Sequence, residues 1–271
     1  PLPAATPPAG MAAYQLPTGV THRSAAFAYR GGSLFDSRDF AMTAVLVRHP
    51  RGDVLIDTGF GRDIDAQFAR MPRLFRAVTS YTRSRPAADQ LDAAGYDRKR
   101  LRALLLTHAH WDHASGVADF PGTPVWVTRE EHRFIRDGGW LTAVAREAKD
   151  ADYEDYELDG GPYLGFPRSR DVYGDGSIVI VEAPGHTPGS VVVFLSLPTG
   201  ARYALVGDLA WQQEGITERE ERPWLQRTLG DGDPAAVREG LLRLDAIALR
   251  WPSLVLVPAH DARGFAAMST L

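Results

Sequence analysis

An apolar run that ends on three histidines and an aspartate constrains this chain more than any other stretch: "LLLTHAHWDHASG", residues 104–116. The run "LRALLLT" has the length and composition of a buried strand. The chain therefore leaves a sheet near Thr107 and presents His108, His110, Asp112 and His113 in the loop that follows. Residues two apart on an extended segment point to the same side. His108 and His110 can thus address one common point, while the turn at Trp111 carries Asp112 and His113 toward a neighbouring one. Three of the chain's eight histidines stand in this loop. Such a density of nitrogen and carboxylate donors means either a metal site or a very polar loop, and a metal site needs donors from elsewhere.

The other donors are easily enumerated. Cysteine is absent, which removes disulfides, thiolate metal sites and cysteine nucleophiles, so any metal must be held by nitrogen and oxygen. His186 lies in the turn "VEAPGHTPGS" between two strand-like runs, Asp208 follows the strand in "ALVGDLA", and His260 follows the strand in "LVLVPAH". A lone histidine after a strand is ordinarily a polar loop residue. Three strand-end donors joining a clustered tetrad are harder to dismiss. His22, His49 and His132 fall outside this pattern. His132, in the charged "TREEHRF", reads as a solvated helix face, and the other two as surface or turn residues.

The succession "THAHWDH", "GHTPGS", "GD" and "PAH" resembles the metallo-β-lactamase superfamily over about residues 40–262. The resemblance implies an α/β fold, a four-layer αββα sandwich, with two divalent metal ions between the sheets. It implies one ion held by His108, His110 and His186, the other by Asp112, His113 and His260, and Asp208 bridging them. It also implies that Asp57 in "VLIDTG" buttresses a ligand histidine, and a ligating imidazole does need an acceptor for its second N–H. The motif "DTG" is shared with aspartic proteases, but those need two facing copies. It occurs once here, and that reading leaves the histidines unexplained.

Length and composition fit one large domain: 271 residues, 44% hydrophobic and 24% charged. Residues 1–20, rich in Pro, Ala and Gly, read as an extended N-terminal arm, and 21–271 as the single domain. The opening "PLPAATPPAG" is what removal of a signal peptide would leave, or the start of a shortened chain, and the compartment stays open. Strands are expected at "AMTAVLVRHP", "DVLIDTG", "PVWVT", "SIVIVEAP", "SVVVFLSL", "ARYALVGD" and "SLVLVPAH". Helical patterns cover 63–100, the stretch to Lys149 and about 234–250. Residues 150–175 read as a long insertion whose Tyr153, Tyr156, Tyr163 and Phe166 either wall a pocket or pack on the core.

A net charge of −4 gives no general attraction to nucleic acid or anionic membranes, and no apolar run approaches the ~20 residues of a membrane span. The arginines at 70, 73, 76, 83 and 85 read first as a solvated helix face, the alternatives being contact with an acidic substrate or a homodimer interface. Nitrogen and oxygen donors suit zinc first, with iron and manganese open. Two such ions about 3.5–4 Å apart lower the pKa of a shared water toward roughly 7, giving a hydroxide nucleophile, and they polarise the scissile carbonyl. Asp112 has a second expected task, passing that water's proton to the leaving oxygen. Within the superfamily, Asp208 argues against the β-lactamase branches. The layout is most similar to N-acyl homoserine lactonases and methyl-parathion-hydrolase-type enzymes. The expected function is therefore a dinuclear lactonase acting on a small molecule. The alternatives are an organophosphate or aryl ester hydrolase, a glyoxalase II-like thioesterase, a mono-iron oxidative relative or a non-catalytic binder. Trp211 stands where the lactonases carry a substrate-touching tyrosine, which makes it the candidate substrate-binding residue.

Overall fold

Period-two alternation of apolar residues builds two sheets and decides which faces meet. The computed structural model describes the backbone of residues 1–271 and every side chain except that of Leu229. The strands are β1 (Ala12–Ser24), β2 (Ser37–Arg48), β3 (Asp53–Ile56), β4 (Ser80–Arg83), β5 (Leu101–Leu105), β6 (Pro124–Thr128), β7 (Asp152–Tyr156), β8 (Ser169–Asp171), β9 (Ile178–Glu182), β10 (Val191–Ser196), β11 (Arg202–Leu205), β12 (Leu254–Val257) and β13 (Ser269–Thr270). The first sheet runs β13-β1-β2-β3-β5-β6-β7 with β4 also on β1, and the second runs β12-β11-β10-β9-β8. Both are mixed: β3, β5, β6 and β7 run parallel, as do β11 and β12, while the remaining hairpin pairs, such as β1–β2 and β9–β10, are antiparallel.

Alternate residues of each strand go to opposite faces. Val45, Val47, Val54 and Ile56 of the first sheet pack against Ile178, Ile180, Val191, Val193 and Leu205 of the second, forming the central layer. The intervening Ala44, Leu46 and Leu55 face outward onto Ala88, Leu91 and Ile135, which lie on helices Ala87–Ala93 and Arg129–Asp137. Val179, Val181, Val192 and Phe194 face the other way, onto Val237, Leu241, Leu244 and Ile247 of helix Pro234–Arg250. That helix starts where expected: the Asp233 carboxylate accepts from the N–H groups of Ala235 and Ala236, and Pro234 supplies a pre-set φ. Each of its four buried aliphatic side chains contributes roughly 1.5–3 kcal/mol of burial. The four layers are the αββα sandwich expected from the resemblance. No helix among the described residues is long and apolar enough to cross a membrane.

Four expectations need correction, the first being the helical reading of 63–100, which β4 interrupts by pairing with β1. Residues 12–20 are not an arm but the first part of β1, which pairs with β2, β4 and β13. Pro17 and Gly19 concealed the strand, and they sit at a register shift, where a residue without an N–H is tolerated. Even the segment before it is anchored, with Thr6 N donating to Asp175 O and Arg202 Nη1 to Pro3 O. Residues 150–175 are not a free insertion either, since β7 extends the first sheet and β8 opens the second. Tyr156 joins the layer between the sheets, Phe166 and Tyr163 pack on Phe194, and Tyr153 packs under the outer helices, so these aromatics complete cores. His49, finally, is buried and stacked on Tyr173 at 3.8 Å. Of the other two, His132 bonds Asp155 on a partly exposed face, and His22 bonds Asp39 and Thr82.

Candidate metal centre

Strand ends deliver every candidate ligand to one edge of the sandwich. His108 and His110 follow β5, and Asp112 and His113 open the short helix Trp111–Ala114. His186 sits in the turn between β9 and β10, Asp208 follows β11, and His260 follows β12. Their donor atoms fall into two groups: His108, His110, His186 and Asp208, and beside them Asp112, His113 and His260.

Asp208 connects the two groups. Its Oδ2 lies 3.1 Å from His186 Nε2 and 3.7 Å from His108 Nε2, while its Oδ1 lies 3.1 Å from both His113 Nε2 and His260 Nε2. Asp112 Oδ2 stands 3.5 Å from His260 Nε2. His110 Nδ1 and His186 Nε2 approach to 2.9 Å. The Nε2 atoms of His108, His110 and His113 and the Oδ1 of Asp208 are buried without hydrogen-bond partners. Buried polar atoms are normally satisfied. Here they converge instead, and nitrogen and oxygen donors gathered around a carboxylate with one oxygen for each group fit a pair of divalent cations.

The electrostatics agree. Burial disfavours charge on His108 and His110, and the imidazoles around them add to it, holding both well below their ordinary range. Burial also opposes charge on His113, but Asp57 and Asp208 outweigh it and raise that histidine well above its usual value. At His186 and His260 burial is likewise outweighed, by Asp208 together with Asp231 and Asp112 respectively. Burial would raise Asp208, yet the ring of histidines holds it well below the carboxylate range. The negative charge that favours cationic character here is local, from Asp57 and Asp208 at His113, Asp208 and Asp231 at His186, and Asp208 and Asp112 at His260.

Three of the five imidazoles, those of His113, His186 and His260, are aimed from behind. Asp57 Oδ2 lies 2.9 Å from His113 Nδ1, and the same carboxylate accepts from Thr107 N and Thr107 Oγ1. His260 Nδ1 lies 2.9 Å from Ala41 O. Asp231 Oδ1 lies 2.8 Å from His186 Nδ1 and also receives the Arg222 guanidinium, which in turn donates to the Asp208 main-chain oxygen at 2.7 Å. Glu131 ties two ligand loops together: Oε1 accepts from Ala109 N, and Oε2 from Thr187 Oγ1 and Gly189 N. Only the first of these props, Asp57, is legible in the sequence. Glu131 stands three residues after Thr128, whose hydroxyl accepts from Glu131 N, so its place in the sequence is that of an ordinary helix-capping residue. Asp231 and Arg222 carry no local signal.

The glycine of "DTG" has its own reason. Gly59 has φ of 58°, and a Cβ there would lie 2.2 Å from Thr18 Oγ1. That hydroxyl cannot yield, because it donates to Met42 O and accepts from Phe60 N. Gly59→Ala is expected to lower the unfolding free energy by about 2–3 kcal/mol in a urea titration.

Trp211 turns its indole N–H onto Asp208 Oδ2 at 2.7 Å, and its ring meets Phe40 and His260 edge-on. It therefore braces the Asp208 carboxylate. Phe60, Phe68 and Phe75 surround Trp111, the residue before Asp112.

A family model described as the metallo-beta-lactamase superfamily matches residues 38–260, a span that includes all of the gathered donors. The chain belongs to that superfamily. Among curated members, a probable metallo-hydrolase of Mycobacterium tuberculosis is 31% identical over 231 residues, 80% of this chain and 73% of its own length. The N-acyl homoserine lactonase AttM of Agrobacterium fabrum is 25% identical over 191 residues, 68% of this chain and 70% of its own. Among solved structures, an N-acyl homoserine lactone hydrolase with N-hexanoyl-L-homoserine at its catalytic metal centre superposes with a TM-score of 0.74. It covers 96% of both chains at 16% identity, a likeness of fold. The dizinc lactonase AidC, with a product bound, gives 0.63 at 19% identity, covering 93% of this chain and 88% of its own.

Proposed function

We propose that this superfamily member is a dinuclear metal-dependent hydrolase that opens lactone rings, with N-acyl homoserine lactones as its substrates and zinc as its metal. The observation that carries the reading is the division of Asp208, one oxygen facing each donor group. The lactonases among its relatives supply the substrate class. Divalent cations held by His108, His110 and His186, by Asp112, His113 and His260, and by Asp208 between them would supply Lewis acidity and make water acidic near neutral pH.

The chain's own residues supply the rest. Asp57, Asp231 and Ala41 O fix which nitrogen of His113, His186 and His260 faces the centre, so donor geometry is set before substrate arrives. Asp112 differs from Asp208 in being partly exposed rather than buried. A carboxylate at this edge takes the proton of the attacking water and passes it to the leaving alkoxide. Asp112→Asn keeps an oxygen donor, and is expected to lower kcat by about 10²–10⁴-fold with metal content retained. Retention of both ions together with full turnover removes that role.

Metal analysis combined with a pH-indicator screen tests the whole reading, using acyl-homoserine lactones, simple lactones, aryl phosphotriesters and thioesters. Two ions per chain and acid release from lactones are the expected results. Cleavage of thioesters or phosphotriesters alone overturns the substrate, and one ion or none overturns the dinuclear site.

A further inference from the structure

Arg23 lies on β1 opposite Arg38 of β2, and two residues earlier Thr21 lies opposite Phe40. Directly paired residues and their neighbours two along share a face of the sheet. The Phe40 ring meets Trp211 and His260, so this face borders the metal centre. The two arginines on it are treated differently. Arg38 is tied to Asp36, Gln212 and Glu214. Among the described residues Arg23 has no carboxylate within ion-pair distance. Among them its guanidinium makes one hydrogen bond, 2.7 Å long, from Nη2 to Thr79 Oγ1.

The Arg23 guanidinium is instead flanked by rings, 5.1 Å from the Phe27 centroid and 5.8 Å from that of Phe75. Phe75 in turn contacts Trp111. Burial lowers the Arg23 pKa, and the charge that acts on it in the opposite direction is that of Asp112. A guanidinium has five N–H donors. Most of those on Arg23 are thus unspent, between aromatic rings, within the field of a carboxylate of the centre. Arg23 is half-buried, and charges drawn out of water are ordinarily paired.

We propose that Arg23 is a specificity-determining residue, whose free donors bind a second oxygen acceptor on the substrate, an amide or keto carbonyl or a carboxylate, while Phe27 and Phe75 hold the adjoining apolar chain. The inference rests on the hydrolase reading of the centre and narrows it. The favoured substrate is a lactone or ester with a further carbonyl or carboxylate beyond the scissile group, and a lactone bearing only an alkyl chain is the disfavoured one. A site built to hydrogen-bond an acceptor discriminates against analogues that lack it, because its own polar groups are then left unpaired.

The test compares metal-loaded wild type, Arg23→Met and Arg23→Lys on N-hexanoyl homoserine lactone and on an alkyl γ-lactone of similar length. Arg23→Met is expected to lower kcat/KM for the amide-bearing lactone by about 10–100-fold more than for the alkyl lactone. The difference should fall in KM, and lysine should restore part of it. Equal losses on the two substrates, or no loss on either, overturn the proposal. If wild type opens neither lactone, the substrate reading above fails, and calorimetric titration with N-hexanoylglycine decides the role of Arg23 alone. Binding weakened at least about tenfold by Arg23→Met supports it. Equal binding by the two proteins, or no binding to wild type, overturns it.

Discussion

Asp208→Ala is expected to yield a folded chain that keeps at most one divalent ion per molecule and hydrolyses its lactone about a thousandfold more slowly, or worse. The reason is electrostatic. Two unit charges 4 Å apart repel by about 4 kcal/mol at an effective dielectric constant near 20, and two dications by about four times that. A carboxylate between them offsets this repulsion, and Asp208 is the carboxylate whose two oxygens face the two donor groups separately. Without it, His186 and His260 lose the largest of the negative charges that raise them, and His113 keeps Asp57 but loses the second of its two. Asp208→Asn separates charge from shape. It can still accept hydrogen bonds, including that from Trp211 Nε1, but it no longer neutralises two cations. Metal content after exhaustive dialysis, measured by mass spectrometry, with circular dichroism as the check on folding, decides the matter. An alanine variant that retains two ions and full turnover would place the ions elsewhere.

What the sequence made legible follows from how local each signal is. The tetrad His108, His110, Asp112 and His113 occupies one loop, and His186, Asp208 and His260 each end an apolar run, so pattern alone found them. Strands with clean alternation, such as β9 and β10, were equally plain, because one-residue steps send Val179 and Val181 to one core and Ile180 to the other. β1 was lost because Pro17 and Gly19 break its pattern, and only pairing with β2 on one side and β4 and β13 on the other shows why the break is tolerated. The aromatics of 150–175 were ambiguous for a different reason. A ring that closes a core and a ring that walls a pocket look alike in sequence, and the choice is made by what lies across from it, Phe194 in the case of Tyr163 and Phe166. The supports of the centre were least legible. Glu131 acts on loops 22 and 58 residues away, and the Arg222–Asp231 pair acts on His186 across 36 and 45 residues.

That last pair carries the largest expected effect on stability. Asp231→Ala is expected to lower the unfolding free energy by about 3–5 kcal/mol at neutral pH. The Asp231 side chain is fully buried and that of Arg222 nearly so, and the carboxylate receives both Nε and Nη2 of the guanidinium. Removing the carboxylate strands a buried cation that still donates to Asp208 O and lies over the Trp211 ring, while His186 loses the acceptor for its Nδ1. Burial would raise the Asp231 pKa, but Arg222 and His186 outweigh it and hold the group below its ordinary 3.8. A depressed carboxylate contributes stability that is fully present above its unfolded value and is lost as pH falls through the folded one. The gap between wild type and Asp231→Ala should therefore be largest at neutral pH and shrink once the pH drops below about 4. Replacing both members, Asp231→Asn with Arg222→Met, should cost less than Asp231→Ala, since no buried charge is left unpaired. Because Asp231 aims His186, the single variant should also weaken metal binding by about 10–100-fold in a chelator competition. Urea titrations across pH read the first effect and chelator competition the second. A variant as stable as wild type at neutral pH would mean that Arg222 finds another partner and that the His186 side of the centre is held by its loop alone.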